Sequence, residues 1–243
     1  ARFGGSETMR VSASLVSGSA TVTRTSSGFT TNETDSLSGF ENLTGSTGAD
    51  SLVGNSGANT LDGAGNNDVL SGLGGADKLI GSDGLDTADY TASAAGVNVS
   101  LLTGRGTGGD AEGDTLSSIE NLTGSANADT LTGNAAANTI LGGLGPDTIE
   151  GGAGGDTMFG GTGLGDTLSY EHSIGSVTVA LDLSFAFTGD ALGDSFSGFE
   201  NLTGSNGGGD VLRGNGSANV IKGLFGDDFL QGAAGGDTLD GGD

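Results

Sequence analysis

Apolar positions recur every ninth residue from Gly45 to Asp89, in five gapless units that start at Gly45, Gly54, Gly63, Gly72 and Gly81. The eighth position of each unit reads Leu52, Leu61, Leu70, Leu79 and Ala88, and the sixth reads Asp50, Asn59, Asp68, Asp77 and Asp86. A polar hexapeptide closed by an acidic residue and followed by a short strand with one inward aliphatic is one winding step of a parallel β-solenoid. Position seven is mostly threonine (Thr60, Thr87, Thr130, Thr139, Thr148, Thr157, Thr167, Thr238), which suits the outward side of such a strand.

A longer period overlies the nine. Phe40–Ser46 (FENLTGS) returns as Ile119–Ser125 and again as Phe199–Ser205, with 79 residues between Glu41 and Glu120 and 80 between Glu120 and Glu200. This divides one continuous solenoid into a degenerate partial block over 1–35 and full blocks over 36–115 and 116–195, with a shortened block over 196–243. Nonapeptides fill about 45–89 and 124–169. Before the first block, Glu7-Thr8-Met9 aligns with Asp86-Thr87-Ala88. Between nonapeptide tracts, segments beginning at Tyr90 and Tyr170 leave the register and alternate apolar with polar positions: Val97, Val99, Leu101 in one; Val177, Val179, Leu181, Leu183, Phe185, Phe187 in the other. Period two predicts half-buried strands, read as wider coils or a flanking hairpin within the same sheet. No segment carries a 3.6-residue apolar stripe, so the expected fold is all-β, a right-handed parallel β-roll with almost no helix.

Composition sharpens this picture. The chain has 243 residues, 52 of them glycine, no cysteine, and a formal net charge of -24 from 31 acidic and 7 basic residues. Collagen is excluded because no three-residue period accompanies the glycine. The charge argues against nucleic acid or an anionic membrane as partner, and it opposes compaction unless cations neutralise it. Without cysteine there are no disulfide staples or thiolate metal sites. No apolar run approaches a membrane span. His172 is the only histidine, so Ser/His catalysis and His-ligand metal chemistry have nothing to stand on, and its position after Tyr170 reads as surface.

The unit Gly72-Leu-Gly-Gly-Ala-Asp77-Lys-Leu79-Ile80 resembles the haemolysin-type (RTX) calcium-binding nonapeptide G-G-x-G-x-D-x-U-x, and the resemblance extends over nearly the whole chain because the unit recurs in register. Calcium takes six to eight oxygen ligands at about 2.3–2.6 Å, and a glycine-rich turn at φ > 0 can point its carbonyls inward beside a carboxylate. The resemblance implies that the other half of each cage comes from the turn two nonapeptides further on. Multiple Ca2+ ions are therefore expected, with Asp50, Asp68, Asp77, Asp86, Asp129, Asp147, Asp156, Asp166, Asp210, Asp228, Asp237, Asn59, Asn138 and Asn219 as ligands.

Alternate units share an edge. Within a block one edge carries Asp50, Asp68, Asp86 (then Asp129, Asp147, Asp166; then Asp210, Asp228). The opposite edge carries Glu41, Asn59, Asp77 (then Glu120, Asn138, Asp156; then Glu200, Asn219, Asp237). The aspartate edge is expected to be well filled with calcium and the asparagine edge sparsely, or held by stacked amides instead. The acidic turns Asp110–Asp114 and Asp190–Asp194 read as extra calcium sites or as solvated loops. With about one large aliphatic per nonapeptide the core is thin, so folding and calcium binding are expected to be one event.

By resemblance the chain is part of a bacterial protein secreted by a type I route. A non-enzymatic, calcium-rigidified rod in an extracellular layer, filament or adhesin stalk is the leading expectation. The secretion and folding module of an enzyme or toxin whose catalytic part is absent is the alternative. Ice binding would need more regular turns. Both ends fall inside repeat-like sequence, which raises head-to-tail polymerisation with calcium at the junction as a further expectation.

Overall fold

The computed structural model describes residues 8–26 and 29–243. Glu7 lies outside them, and with it the alignment of Glu7 on Asp86. The fold is all-β, with no α-helix among these residues and two 3-10 turns at Gly109–Ala111 and Gly189–Ala191. Most strands are three residues long, and those of the nonapeptide tracts pair in parallel with the strand two units away, Leu52 on Leu70 and Leu61 on Leu79. The period of nine divides into six residues of turn and three of strand, and the middle strand residue points inward. Leu52, Leu61, Leu70, Leu79, Leu122, Leu131, Ile140, Ile149, Met158, Leu168, Leu202, Leu212 and Ile221 are fully buried in a single file between two sheet faces.

The first face runs from Thr8–Ser14 through Ser51–Val53, Val69–Ser71, Thr87–Asp89, Asn121–Thr123, Thr139–Leu144 and Thr157–Thr162 to Ser195–Ser197. The second runs from Asn42–Thr44 through Thr60–Asp62, Lys78–Ile80, Thr115–Ser117, Arg105–Thr107, Asn98–Ser100, Thr130–Thr132, Thr148–Glu150, Thr167–Ser169, Asn201–Thr203 and Val220–Lys222 to Thr238–Asp240. A four-stranded sheet, Phe185–Phe187, Thr178–Ala180, Val211–Arg213 and Phe229–Gln231, takes up the first face beyond Ser195–Ser197.

The off-register segments are antiparallel excursions inside this sheet. From Thr87–Asp89 the chain crosses to Asn98–Ser100, turns back through Arg105–Thr107, and returns along Thr115–Ser117 beside Lys78–Ile80. The amino-terminal meander is built the same way: Ser12–Ser14 pair in parallel with Ser51–Val53 and antiparallel with Ser19–Thr21. Val11 thus takes the place of Val97 and Val177, and the backbone N–H of each donates to the aspartate on the next coil, Asp50, Asp129 and Asp210.

These excursions add much of the core. Tyr90, Val97, Val99, Ala111, Leu116 and Ile119 are buried in one, and Tyr170, Val177, Val179, Leu181, Ala191, Phe196 and Phe199 in the other. The alternation read through Leu183, Phe185 and Phe187 stops at Leu181, because the chain reverses there. Leu183 and Phe187 are exposed, and Ala186 is the inward residue of the returning strand.

Each block contains seven crossings between faces, six made by the heptapeptide and its nonapeptides and one by the excursion. Seven is odd, so the next block begins on the opposite face: Asn42–Thr44 lies on the second, Asn121–Thr123 on the first, Asn201–Thr203 on the second. The alternation of Asp and Asn edges holds within a block, but the two edges exchange roles from one block to the next. One edge carries Asp50, Asp68, Asp86, Glu120, Asn138 and Asp156, and the other Glu41, Asn59, Asp77, Asp114, Asp129, Asp147 and Asp166. No continuous aspartate edge runs the length of the rod.

Candidate metal centre

Asp50, Asp129 and Asp210 accept the backbone N–H of Val11, Val97 and Val177, and one rule orients every other acidic side chain at position six. Its Oδ1 accepts the backbone N–H of the position-six residue one coil earlier: Asp50 N–H on Asp68 (2.7 Å), Asp68 on Asp86 (2.7 Å), Asn59 on Asp77 (2.7 Å), Asp129 on Asp147 (2.9 Å), Asp147 on Asp166 (2.9 Å), Asn138 on Asp156 (2.8 Å), Asp210 on Asp228 (2.8 Å) and Asn219 on Asp237 (3.0 Å). This ladder draws the carboxylates out of water. Asp50, Asp68, Asp77, Asp86, Asp129, Asp147, Asp156, Asp166 and Asp210, with Asn59, Asn138 and Asn219, are all buried. Glu120 and Glu200 continue it, each accepting the N–H of the aspartate before it, Asp86 and Asp166.

The second oxygen separates the turns into two kinds. In the first two units of each block the residue at position two is Ser46 or Asn55, Ser125 or Asn134, Ser205 or Asn215. Its side-chain oxygen accepts the N–H of position four, closing a local Asx- or Ser-turn: Gly48 on Ser46, Gly57 on Asn55, Asn127 on Ser125, Ala136 on Asn134, Gly207 on Ser205, Ser217 on Asn215. Its own N–H then donates to the position-six side chain, as Ser125 does to Asp129 Oδ2 (2.6 Å), Ser205 to Asp210 Oδ2 (2.6 Å), Ser46 to Asp50 Oδ2 and Asn134 to Asn138 Oδ1 (2.8 Å). The serine hydroxyls donate to Oδ1 of the same aspartates. These are closed turns, whose side-chain oxygens are satisfied by the protein itself, with Asn59 Nδ2 the one buried side-chain atom of these turns left without a partner.

In the remaining units of each block, position two stands at positive φ. Ala64, Leu73 and Ser82 do so in the first block, Gly143, Gly152 and Gly161 in the second, Leu224 and Ala233 in the third. A second left-handed residue follows at Asn66, Gly75, Gly84, Gly145, Gly154, Gly165, Gly226 or Gly235. Here no N–H reaches the second carboxylate oxygen. Oδ2 of Asp68, Asp77, Asp86, Asp147, Asp156, Asp166 and Asp228 is buried with no hydrogen-bond partner. A buried, unpaired carboxylate oxygen is costly. Burial is the largest cause that pushes Asp68 and Asp77 up to about 6 and Asp147 and Asp156 up to about 7. These are open turns.

The first glycine of a turn shapes the space around that oxygen. A Cβ at Gly142 would collide with Asp147 Oδ2 and with the carbonyl oxygen of Gly160 on the next coil. A carboxylate oxygen and a carbonyl from successive windings thus approach one spot, a donor pair that suits a hard cation. The same pair meets at Gly45 and Gly124 of the closed turns, where the Ser46 and Ser125 N–H groups already occupy the carboxylate. Among the described residues no three acidic or histidine side chains gather at one point. The oxygens available are one or two carboxylates plus backbone carbonyls.

The acidic turns of the excursions are closed by tyrosines, which sequence reasoning did not assign. Asp114 Oδ1 accepts the N–H of Asp77 (2.8 Å) and its Oδ2 accepts the hydroxyl of buried Tyr90 (3.0 Å). Asp194 does the same with Asp156 (2.9 Å) and Tyr170 (2.9 Å). Burial raises both phenols well above their ordinary range, so they remain donors. His172 has an exposed ring, but its Nδ1 lies 2.8 Å from Oε2 of buried Glu150, whose Oε1 accepts the His172 N–H.

A scan against protein families matches the RTX calcium-binding nonapeptide repeat over residues 35–70, 62–90, 114–149, 132–164 and 204–239, more than half of the chain. The chain belongs to this family. A search of curated proteins finds no match. The RTX matches cover turns in all three blocks, stopping in the second at residue 164, just short of Asp166, and leave out the antiparallel strands Asn98–Ser100, Arg105–Thr107 and Phe185–Phe187. As an RTX repeat protein the chain is a calcium-binding β-roll.

Proposed function

We propose that this RTX chain is a structural rod of an extracellular protein that becomes rigid, and largely folds, as calcium enters its open turns. The observation that carries the reading is the set of buried carboxylate oxygens without partners in a chain of net charge -24. Asp68, Asp77, Asp86, Asp147, Asp156, Asp166 and Asp228 would hold the ions together with carbonyls of their own and neighbouring turns, and Asp237 would do so in the last unit. The ion supplies positive charge and oxygen coordination where the protein supplies no donor. Asp50, Asp129, Asp210, Asn59, Asn138 and Asn219 hold their own turns closed instead, because their side-chain oxygens already accept protein N–H groups.

Low calcium would keep such a chain open through repulsion of its carboxylates, and high calcium outside the cell would close it. This fits the type I secretion typical of RTX proteins, and no helix among the described residues is long and apolar enough to cross a membrane. The test is far-UV circular dichroism during calcium titration and after exhaustive chelation. β-structure should appear with calcium and collapse without it. The same β spectrum in both conditions would overturn the reading.

A further inference from the structure

We propose that a position-two side chain turned onto the position-four N–H decides that its nonapeptide turn takes no calcium, so that each block opens with two metal-free turns, followed by three that require the ion in the first two blocks and by two in the third. The inference rests on the calcium reading above and assigns the ions turn by turn. Ser46, Asn55, Ser125, Asn134, Ser205 and Asn215 do inside the protein what the cation does elsewhere. Each captures the position-four N–H, keeps the turn free of the paired left-handed residues, and aims its own N–H at the position-six side chain.

The carboxylates record the consequence. The unpartnered carboxylate oxygens all belong to open turns, and Asp50, Asp129 and Asp210 of the closed turns have none. In the open class Asp68, Asp77, Asp86, Asp147, Asp156 and Asp166 are at most 2% exposed, so bulk solvent does not reach the missing donor's place. Ser82 shows that serine alone is not the determinant. It stands at φ 76°, its hydroxyl donates to Asp62, and its turn is open. The closed state needs the side-chain oxygen turned inward onto position four.

Two open turns one coil apart present two unpaired carboxylates to the same space. This occurs for Asp68 with Asp86 and for Asp147 with Asp166, which sit on opposite edges because the blocks exchange faces. The turn at Gly124 is the closed neighbour of the Gly142 turn on the same edge.

The double variant Ser125→Gly, Asn127→Gly removes the side-chain oxygen and permits left-handed backbone at positions two and four. Calcium per chain, measured by equilibrium dialysis with elemental analysis, should rise by one ion over wild type. Unchanged stoichiometry in a calcium-binding, folded variant would overturn the proposal. Wild type gives a second test that no misfolded variant can obscure. In crystals grown with calcium, anomalous density should lie only against open turns, and an ion lodged in the Gly124 or Gly133 turn would overturn the assignment. A wild type that binds calcium at closed and open turns alike defeats this inference alone, whereas one that binds no calcium defeats the calcium reading and the inference with it.

Discussion

Tyr90 donates its hydroxyl proton to Asp114 Oδ2 at 3.0 Å, and both side chains are buried. The contact ties the start of an excursion to its end and gives Asp114 the partner that Asp68 or Asp147 lacks. Tyr90→Phe keeps the ring and strands that oxygen. A loss of about 1–3 kcal/mol is expected in denaturant unfolding of the calcium-loaded protein. Tyr170→Phe should cost a similar amount through Asp194.

The open-turn aspartates set the pH dependence of the chelated protein. Burial, the largest cause, raises Asp68 and Asp77 to about 6 and Asp147 and Asp156 to about 7. A ladder N–H works against it, and facing carboxylates add to it. The folded state therefore holds protons that the unfolded chain releases near pH 4, and stability falls as pH rises from about 4 to 7. Circular dichroism in chelator should show more residual β-structure at pH 5 than at pH 8, where the calcium-free chain is unfolded. Calcium should reverse the order, since protons compete for the same oxygens.

Gly142 has no room for a side chain. Gly142→Ala drives a methyl into Asp147 Oδ2 and the Gly160 carbonyl, one of which is fixed backbone. About 1–3 kcal/mol of destabilisation is expected, with weaker calcium binding in the same titration. Gly216→Ala is the control, because nothing lies near its added methyl and its φ is not left-handed. It should change stability by less than about 0.5 kcal/mol.

His172 titrates against Glu150, and their hydrogen bond is the largest cause that raises the imidazole above its ordinary range. The sign is opposite to that of the aspartates. The stabilisation is present below the unfolded value of about 6.5 and fades as pH climbs through the raised one. His172→Ala should cost more at pH 6 than at pH 9 in thermal melts. The cost should stay below about 1 kcal/mol because the ring is exposed.

The nine-residue register made the roll, its inward file of Leu52, Leu61, Leu70, Leu79 and Ala88 and the place of each aspartate at position six readable before any coordinates. The exchange of edges was not readable that way. A register counts crossings only where it persists, and the segments after Tyr90 and Tyr170 abandon it, so their odd contribution stayed hidden. The Tyr90–Asp114 contact was hidden for the same reason, since both partners lie where no period constrains their meeting. The distinction between closed and open turns was partly in view. Asparagine and scarce glycine marked Asn55–Asn59 as different, but Ser46 and Ser82 are the same residue type at the same position, and only the backbone tells them apart.

The odd number of crossings gives the rod a half-turn screw. An excursion widens the second face in the first block and the first face in the second, so over two blocks each face receives nine strands, about 43 Å of sheet at the usual spacing. Anything displayed on equivalent excursions points alternately to opposite sides, so a chain extended by further blocks would offer the same feature on a given side only at every second block.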